Sequence, residues 1–155
     1  MKKILRRFKL VFIDVLVYHM QDYKSISIEN EYKIEKSTDG HKICYFIKDN
    51  NKIVHKSFLI PKVYLMKSLN KKGPVIGDCV TVNSHRGQSI YPYVINKIAQ
   101  EVINNDKTEV YVIVNSNNLN SIRGIEKAGF SKLASIVATR WLWFYFKRKI
   151  TYLNK

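Results

Sequence analysis

Two apolar runs of strand length, separated by a helical period, organise the second half of the chain. The first, Ile76 to Val82 (IGDCVTV), is rich in β-branched residues and reads as a buried strand, which the turn-forming Asn83-Ser84-His85-Arg86-Gly87 breaks. Val94, Ile95, Ile98, Val102 and Ile103 then recur at helical spacing, and Pro92 fits a first turn, where its missing N–H costs nothing. The second run is Val110 to Val114, ended by the polar turn Asn115 to Asn118. A further helix is predicted over Ser121 to Ala128, capped by Asn118 or Asn120 and closed at Gly129, where a left-handed residue is needed.

The flanking halves read as strands. Tyr23 to Ile34 and His41 to Ile60 contain alternating, β-branched stretches, with Asp49-Asn50-Asn51 as a hairpin turn. Val63 to Leu69 suits a short helix, and Lys71-Lys72-Gly73-Pro74 a turn into the next strand. Ser131 to Val137 and Arg140 to Phe146 read as a closing pair of strands. At 155 residues and 46% hydrophobic content the chain is expected to form one globular domain. Its two cysteines, Cys44 and Cys79, lack metal-ligand spacing, so no metal is expected, and free thiols in a reducing compartment explain them.

The strand-turn-helix order has a chemical reading. The backbone N–H groups of Arg86 to Tyr91 fall at a helix N-terminus, with the positive end of the dipole behind them, which makes a cradle for phosphate. An ordinary strand-to-helix connection would look the same on this ground alone.

The two blocks together resemble the cofactor-binding half of a GNAT-type N-acetyltransferase. In that family an Arg/Gln-x-x-Gly-x-Gly/Ala turn holds the pyrophosphate of acetyl-coenzyme A, and an Asn-x-x-Ala/Ser helix ends in Glu-Lys-x-Gly-Phe. Arg86 matches the opening position, Gly87 and Gln88 the free ones, and Ser89 and Tyr91 the two small-residue positions, with Ile90 between them. Asn118, Ser121, Glu126, Lys127, Gly129 and Phe130 all match at family spacing. The resemblance implies an α/β (α+β) fold: a mixed, mostly antiparallel central sheet with flanking helices, its fourth and fifth strands splayed to admit the pantetheine arm. On this reading residues 1–74 form the acceptor side, 75–130 the cofactor-binding half, and 131–155 the closing strands and a basic tail.

Two departures stand out. Ser89 and Tyr91 replace glycine or alanine, and a non-glycine residue at positive φ costs roughly 1–2 kcal/mol. Ile125 stands where many members carry a tyrosine that protonates the departing thiolate, and a hydrocarbon donates no proton. The resemblance puts the oxyanion donor on backbone near Thr81 and Val82. Asp78, His85 and His55 are the candidate bases, each with a structural alternative as turn, loop or strand residue.

The chain ends and the charge bear on partners. MKKILRRFKLVFIDVLVYHM begins like a secretory signal, but Asp14 interrupts its apolar run, no small-residue cleavage site follows, and it is short of a membrane span. Trp141 to Lys149 joins aromatics to cations, a combination suited to a lipid headgroup boundary; the alternative is a terminal strand whose aromatics enter the core. The expected location is cytoplasmic, with contact at the inner membrane face open to both termini. Net charge is +15, from an excess that reads as lysine spread through the chain, and no nucleic-acid motif accompanies it. A basic surface suits anionic partners such as coenzyme A, a sugar nucleotide or a lipid-linked diphosphate sugar.

The expected activity is acetyl transfer from acetyl-coenzyme A to an amine. An amino sugar in surface-glycan assembly is the expected acceptor, because RGQSIYP and NSIRGIEKAGF are similar to GNAT-like proteins of bacterial polysaccharide pathways. The competing reading is a non-catalytic module of the same shape that binds coenzyme A, nucleic acid or an anionic membrane.

Overall fold

Asn50 and Asn51 sit at φ 48° and 60°, the double left-handed turn that asparagine tolerates and that matches the twist of a two-residue hairpin. They join β3 (Lys42–Asp49) to β4 (Lys52–Ile60), as the sequence predicts. The computed structural model describes residues 10–28, 30–142 and 144–153. The other strands are β1 (Val11–Met20), β2 (Ile34–Asp39), β5 (Val75–Thr81), β6 (Val110–Asn115), β7 (Ser131–Trp141) and β8 (Phe144–Tyr152). They form one mixed sheet in the order β2-β3-β4-β5-β6-β1-β7-β8, antiparallel except where β5 meets β6.

A long helix, α1 (Ile90–Asp106), makes the crossover from β5 to β6, and α2 (Leu119–Lys127) follows β6. Ile76, Ile95, Ile98, Ile125 and Phe130 meet in the core between the sheet and the helices. A second core on the opposite face takes Leu65, Met66 and Leu69 from a 3-10 helix at Tyr64–Leu69. The sheet is therefore buried on both sides near its centre.

Three sequence expectations are corrected. No strand is expected from Val11 to Met20, where a leader is weighed and set aside; the structure has β1 there, lying between β6 and β7, pairing with both, and burying Val15, Val17, Tyr18 and Met20. Met1 to Lys9 lie outside the described residues. Across Tyr23 to Ile34 the described residues before β2 form no strand; they are tied to α1 through Asn96. The Asn96 amide donates to the Lys24 carbonyl at 2.9 Å, and its Oδ1 accepts from the Tyr23 hydroxyl at 3.0 Å. In the closing hairpin β7 runs on to Trp141 and β8 starts at Phe144, so the connection falls later than expected; Trp141, Phe144 and Phe146 stay exposed, while Tyr145 packs against the second core.

Candidate functional site

The site begins with a defect in β5. Phe58 pairs with Gly77 and Lys56 with Val80, so Asp78 and Cys79 together face Ser57. Asp78 has φ 50°, the left-handed conformation that short Asp and Asn side chains tolerate. This is a β-bulge, which bends a strand and leaves one residue unpaired. It follows directly on the last β5–β6 pairs, Val75 with Tyr111 and Ile76 with Val112, beyond which the two strands part. The splay has a local cause. A cavity of about 290 Å³ fills the gap, lined by Gly77, Asp78 and Cys79 from β5, Ile113 to Asn115 from β6, and Tyr91, Asn118 and Ser121.

Beside the gap, the chain leaves β5 through a short 3-10 turn, Asn83–His85. Gly87 at φ 81° and Ser89 at φ 59° then re-aim it into α1. The first helical hydrogen bond runs from the Tyr93 N–H to the Ser89 carbonyl at 3.1 Å, so the amides ahead of it lie outside the helix's own ladder. The Arg86 N–H is committed to the Asn83 carbonyl at 3.3 Å, which narrows the expected cradle to Gly87 through Tyr91. Of the two unusual side chains, only Ser89 takes the left-handed position; Tyr91 is helical.

These elements border a larger cavity, about 670 Å³, a size typical of ligand pockets. Thr81, Arg86, Gly87, Ser89, Ile90, Tyr91, Asn118 and Ser121 all line it. Arg86 folds back on its own strand, its Nε donating to the Thr81 carbonyl at 3.2 Å. Asn118 caps α2, accepting from the Ser121 N–H at 3.2 Å. Two expected residues are not on its wall. The Val82 N–H donates to the Val54 carbonyl at 2.9 Å and is not free for an oxyanion. The Gln88 side chain turns to the Tyr32 hydroxyl at 3.2 Å and the Ser84 carbonyl at 3.4 Å.

The three candidate bases occupy different environments. His55 is buried, its Nδ1 2.8 Å from Thr81 Oγ1 and its Nε2 2.8 Å from Ser57 Oγ; burial lowers its pKa to about 4, so it is neutral at pH 7. Asp78 is exposed and ion-paired to Lys42 at 2.9 Å. His85 lines the larger cavity, with Nε2 3.1 Å from Asp49 Oδ2 and Nδ1 2.9 Å from Ser84 Oγ. His85 alone of the three combines access to that cavity with a carboxylate to orient its ring.

Sequence reasoning missed several neighbours. Lys127 reaches across from α2, its Nζ donating to Ser89 Oγ at 2.7 Å, which places a cation at the α1 N-terminus. The Tyr91 ring lies against Gly124 so closely that a Cβ there would come within 2.6 Å of it. Tyr91 lines both cavities, and its phenol is pushed above its ordinary range by burial first and then by neighbouring Cys79. Tyr32 stacks edge-on to His85 at 6.2 Å, bringing the segment before β2 to the turn. Only the Gly124 signal was legible in sequence: a glycine inside a helix usually marks close packing. Ile125 is fully buried on the core side of α2, away from either cavity's lining.

Over 86% of its length the chain superposes on a solved acetyltransferase of the GNAT family from Colwellia psychrerythraea, with a TM-score of 0.61 and 13% sequence identity. The chain has the GNAT fold. It spans 57% of the length of that acetyltransferase. No protein-family model and no curated protein matches the sequence.

Proposed function

We propose that the chain is an acetyl-coenzyme A-dependent N-acetyltransferase whose donor occupies the β5–β6 opening. One observation carries the reading: on a GNAT fold, the cavity in an opened parallel strand pair adjoins the cavity bordered by a turn at a helix N-terminus, and the two share Cys79, Tyr91, Asn118 and Ser121. The residues fit a pyrophosphate-bearing thioester. The amides of Gly87 to Tyr91 offer donors to phosphate oxygens, with Arg86 and Lys127 adding positive charge beside them. The β5 edge past Ile76 offers backbone groups to the amide-containing arm of coenzyme A.

Coenzyme A supplies the activated acetyl group; the chain's residues orient it and manage protons. With Val82 committed, the oxyanion donor falls to the β5 backbone between Gly77 and Thr81. His85, which lines the cavity and is held by Asp49, accepts the amine proton. The Tyr91 hydroxyl hydrogen-bonds the departing thiolate, the task for which Ile125 has no proton. The acceptor we propose is an amino sugar carried on an anionic nucleotide or lipid diphosphate, as the net charge of +15 favours.

Release of free thiol from acetyl-coenzyme A in the presence of nucleotide-linked amino sugars tests this directly. The expected result is acceptor-dependent thiol release, lowered about 10²-fold in kcat by Tyr91→Phe. Coenzyme A binding without release for any amine tested would leave the non-catalytic module in its place.

A further inference from the structure

Where β6 ends, β1, β7 and β8 continue past it. Val15 pairs with Asn115, the last residue of β6, and the Ser116 N–H donates to the Asp14 carbonyl at 3.1 Å. Beyond that level Phe12 lies opposite Thr139, Thr139 opposite Phe146, and Trp141 opposite Phe144. Directly opposite residues share a face, and so do residues two apart along a strand. Phe12, Trp141, Phe144 and Phe146 therefore project from one face, the same face on which Leu16 and Tyr18 enter the helix-side core. Ile13, Ala138 and Tyr145 point the other way, into the second core.

Among the described residues the end of that face is exposed, unlike the rest of it. Phe12 is 69% exposed, Phe144 58%, Trp141 41% and Phe146 38%. Between the end of β7 and the start of β8 the sequence reads Trp141-Leu142-Trp143-Phe144, where a connection facing water would carry Gly, Asn, Asp or Ser. Cations stand beside these aromatics among the described residues: Arg140 lies opposite Val11, and Lys147, Arg148 and Lys149 follow Phe146 along β8. Residues 1–10 and 131–155 hold eleven of the 27 lysines and arginines and none of the 12 acidic residues, so the excess is not spread evenly.

We propose that this aromatic, cation-ringed end of the sheet docks on an anionic lipid bilayer. Aromatic side chains settle at the headgroup boundary, and cations beside them gain from the negative surface potential. A second copy of the chain would bring like charges together, which disfavours self-association here. The docking end lies at the C-terminal end of β6, as does the β5–β6 opening, so a docked chain holds that opening close to the lipid surface. The docking surface does not depend on the acyl-transfer reading.

Both tryptophans of the chain, Trp141 and Trp143, belong to this stretch of sequence, so their emission reports on it. The test titrates the protein with phosphatidylcholine vesicles, with and without phosphatidylserine, and reads tryptophan emission and co-sedimentation. The expected result is a blue shift and sedimentation with phosphatidylserine vesicles only, reversed by salt. Lys147→Gln and Lys149→Gln, which leave the cores untouched, each lower partitioning about fivefold, the equivalent of ~1 kcal/mol per surface cation. Phe144→Ser lowers it without changing charge. Three results would overturn the proposal: no dependence on phosphatidylserine, a dimer that Phe144→Ser dissociates, or binding to an oligonucleotide in place of vesicles.

Discussion

The two ends of the β5–β6 seam are built in opposite ways. At the closed end, Val75 and Ile76 pair with Tyr111 and Val112, and Gly73 lies so close that a Cβ would stand 2.5 Å from the Glu109 carbonyl and 2.8 Å from the Tyr111 ring. The Tyr111 hydroxyl donates to Glu109, which also pairs with Lys71 at 3.1 Å. At the open end, two left-handed non-glycine residues, Asp78 and Ser89, hold strand and turn away from β6, and polar groups face a cavity. Strain of this kind persists only where surrounding structure over-determines it. The closed end supplies that surrounding structure, and the difference teaches that this cleft is a property of β5 and not of a mobile lid.

The comparison breaks most severely at the closed end. Ile76→Ala removes a fully buried side chain at the last paired position, and about 2–5 kcal/mol of stability should go with it in urea unfolding. Gly73→Ala, forced against backbone, should cost about 1–3 kcal/mol. If either variant left stability unchanged, the closed end would not be the anchor.

Acid should act next most strongly, through His55. Its pKa is about 4 in the folded chain and near 6.5 unfolded, so between those values the unfolded state binds more protons. Stability is therefore full above pH 6.5 and falls as pH drops toward 4, by about 3 kcal/mol if His55 acts alone. His55→Asn should flatten that window. Glu109 adds a separate loss at lower pH. Burial alone would raise its carboxyl, but the hydrogen bond from Tyr111 and the Lys71 charge hold it below its usual range, and that stabilisation disappears once it is protonated. Unfolding midpoints across pH, with and without each substitution, separate the two.

Much of the open end was legible in sequence, and its geometry was not. The apolar run at Ile76 to Val82, the Asn-Gly-Phe signals around α2 and the break at Asn83 to Gly87 are local patterns, and local patterns set strands, caps and turns. The bulge is not local: it needs β4 to present Ser57 against two residues, so IGDCVTV reads as a regular buried strand although Val80 is 62% exposed. The Val82 amide was misassigned for the same reason, since Val54 lies in another strand. In β1 the miss was the strand itself: VFIDVLVYHM is apolar on both faces apart from Asp14 and His19, so it shows no alternation, and its partners β6 and β7 lie about a hundred residues away.

The smallest effects sharpen the open end. Asp78→Gly and Ser89→Gly should each keep the backbone path and relieve about 1 kcal/mol of left-handed strain, whereas Asp78→Val should destabilise by more than that. Thermal melts of the three variants would check the order; a stabilising valine would mean that β5 prefers to straighten.

Calorimetric titration of acetyl-coenzyme A into the wild-type chain and into Gly87→Val tests the central claim most directly. Gly87 sits at φ 81° with open space where a Cβ would go, so a β-branched residue there disturbs the turn and not the core. The account predicts one site on the wild type, lowered at least tenfold in affinity by the substitution with the fold intact. No binding, or equal affinity in both proteins, would contradict it.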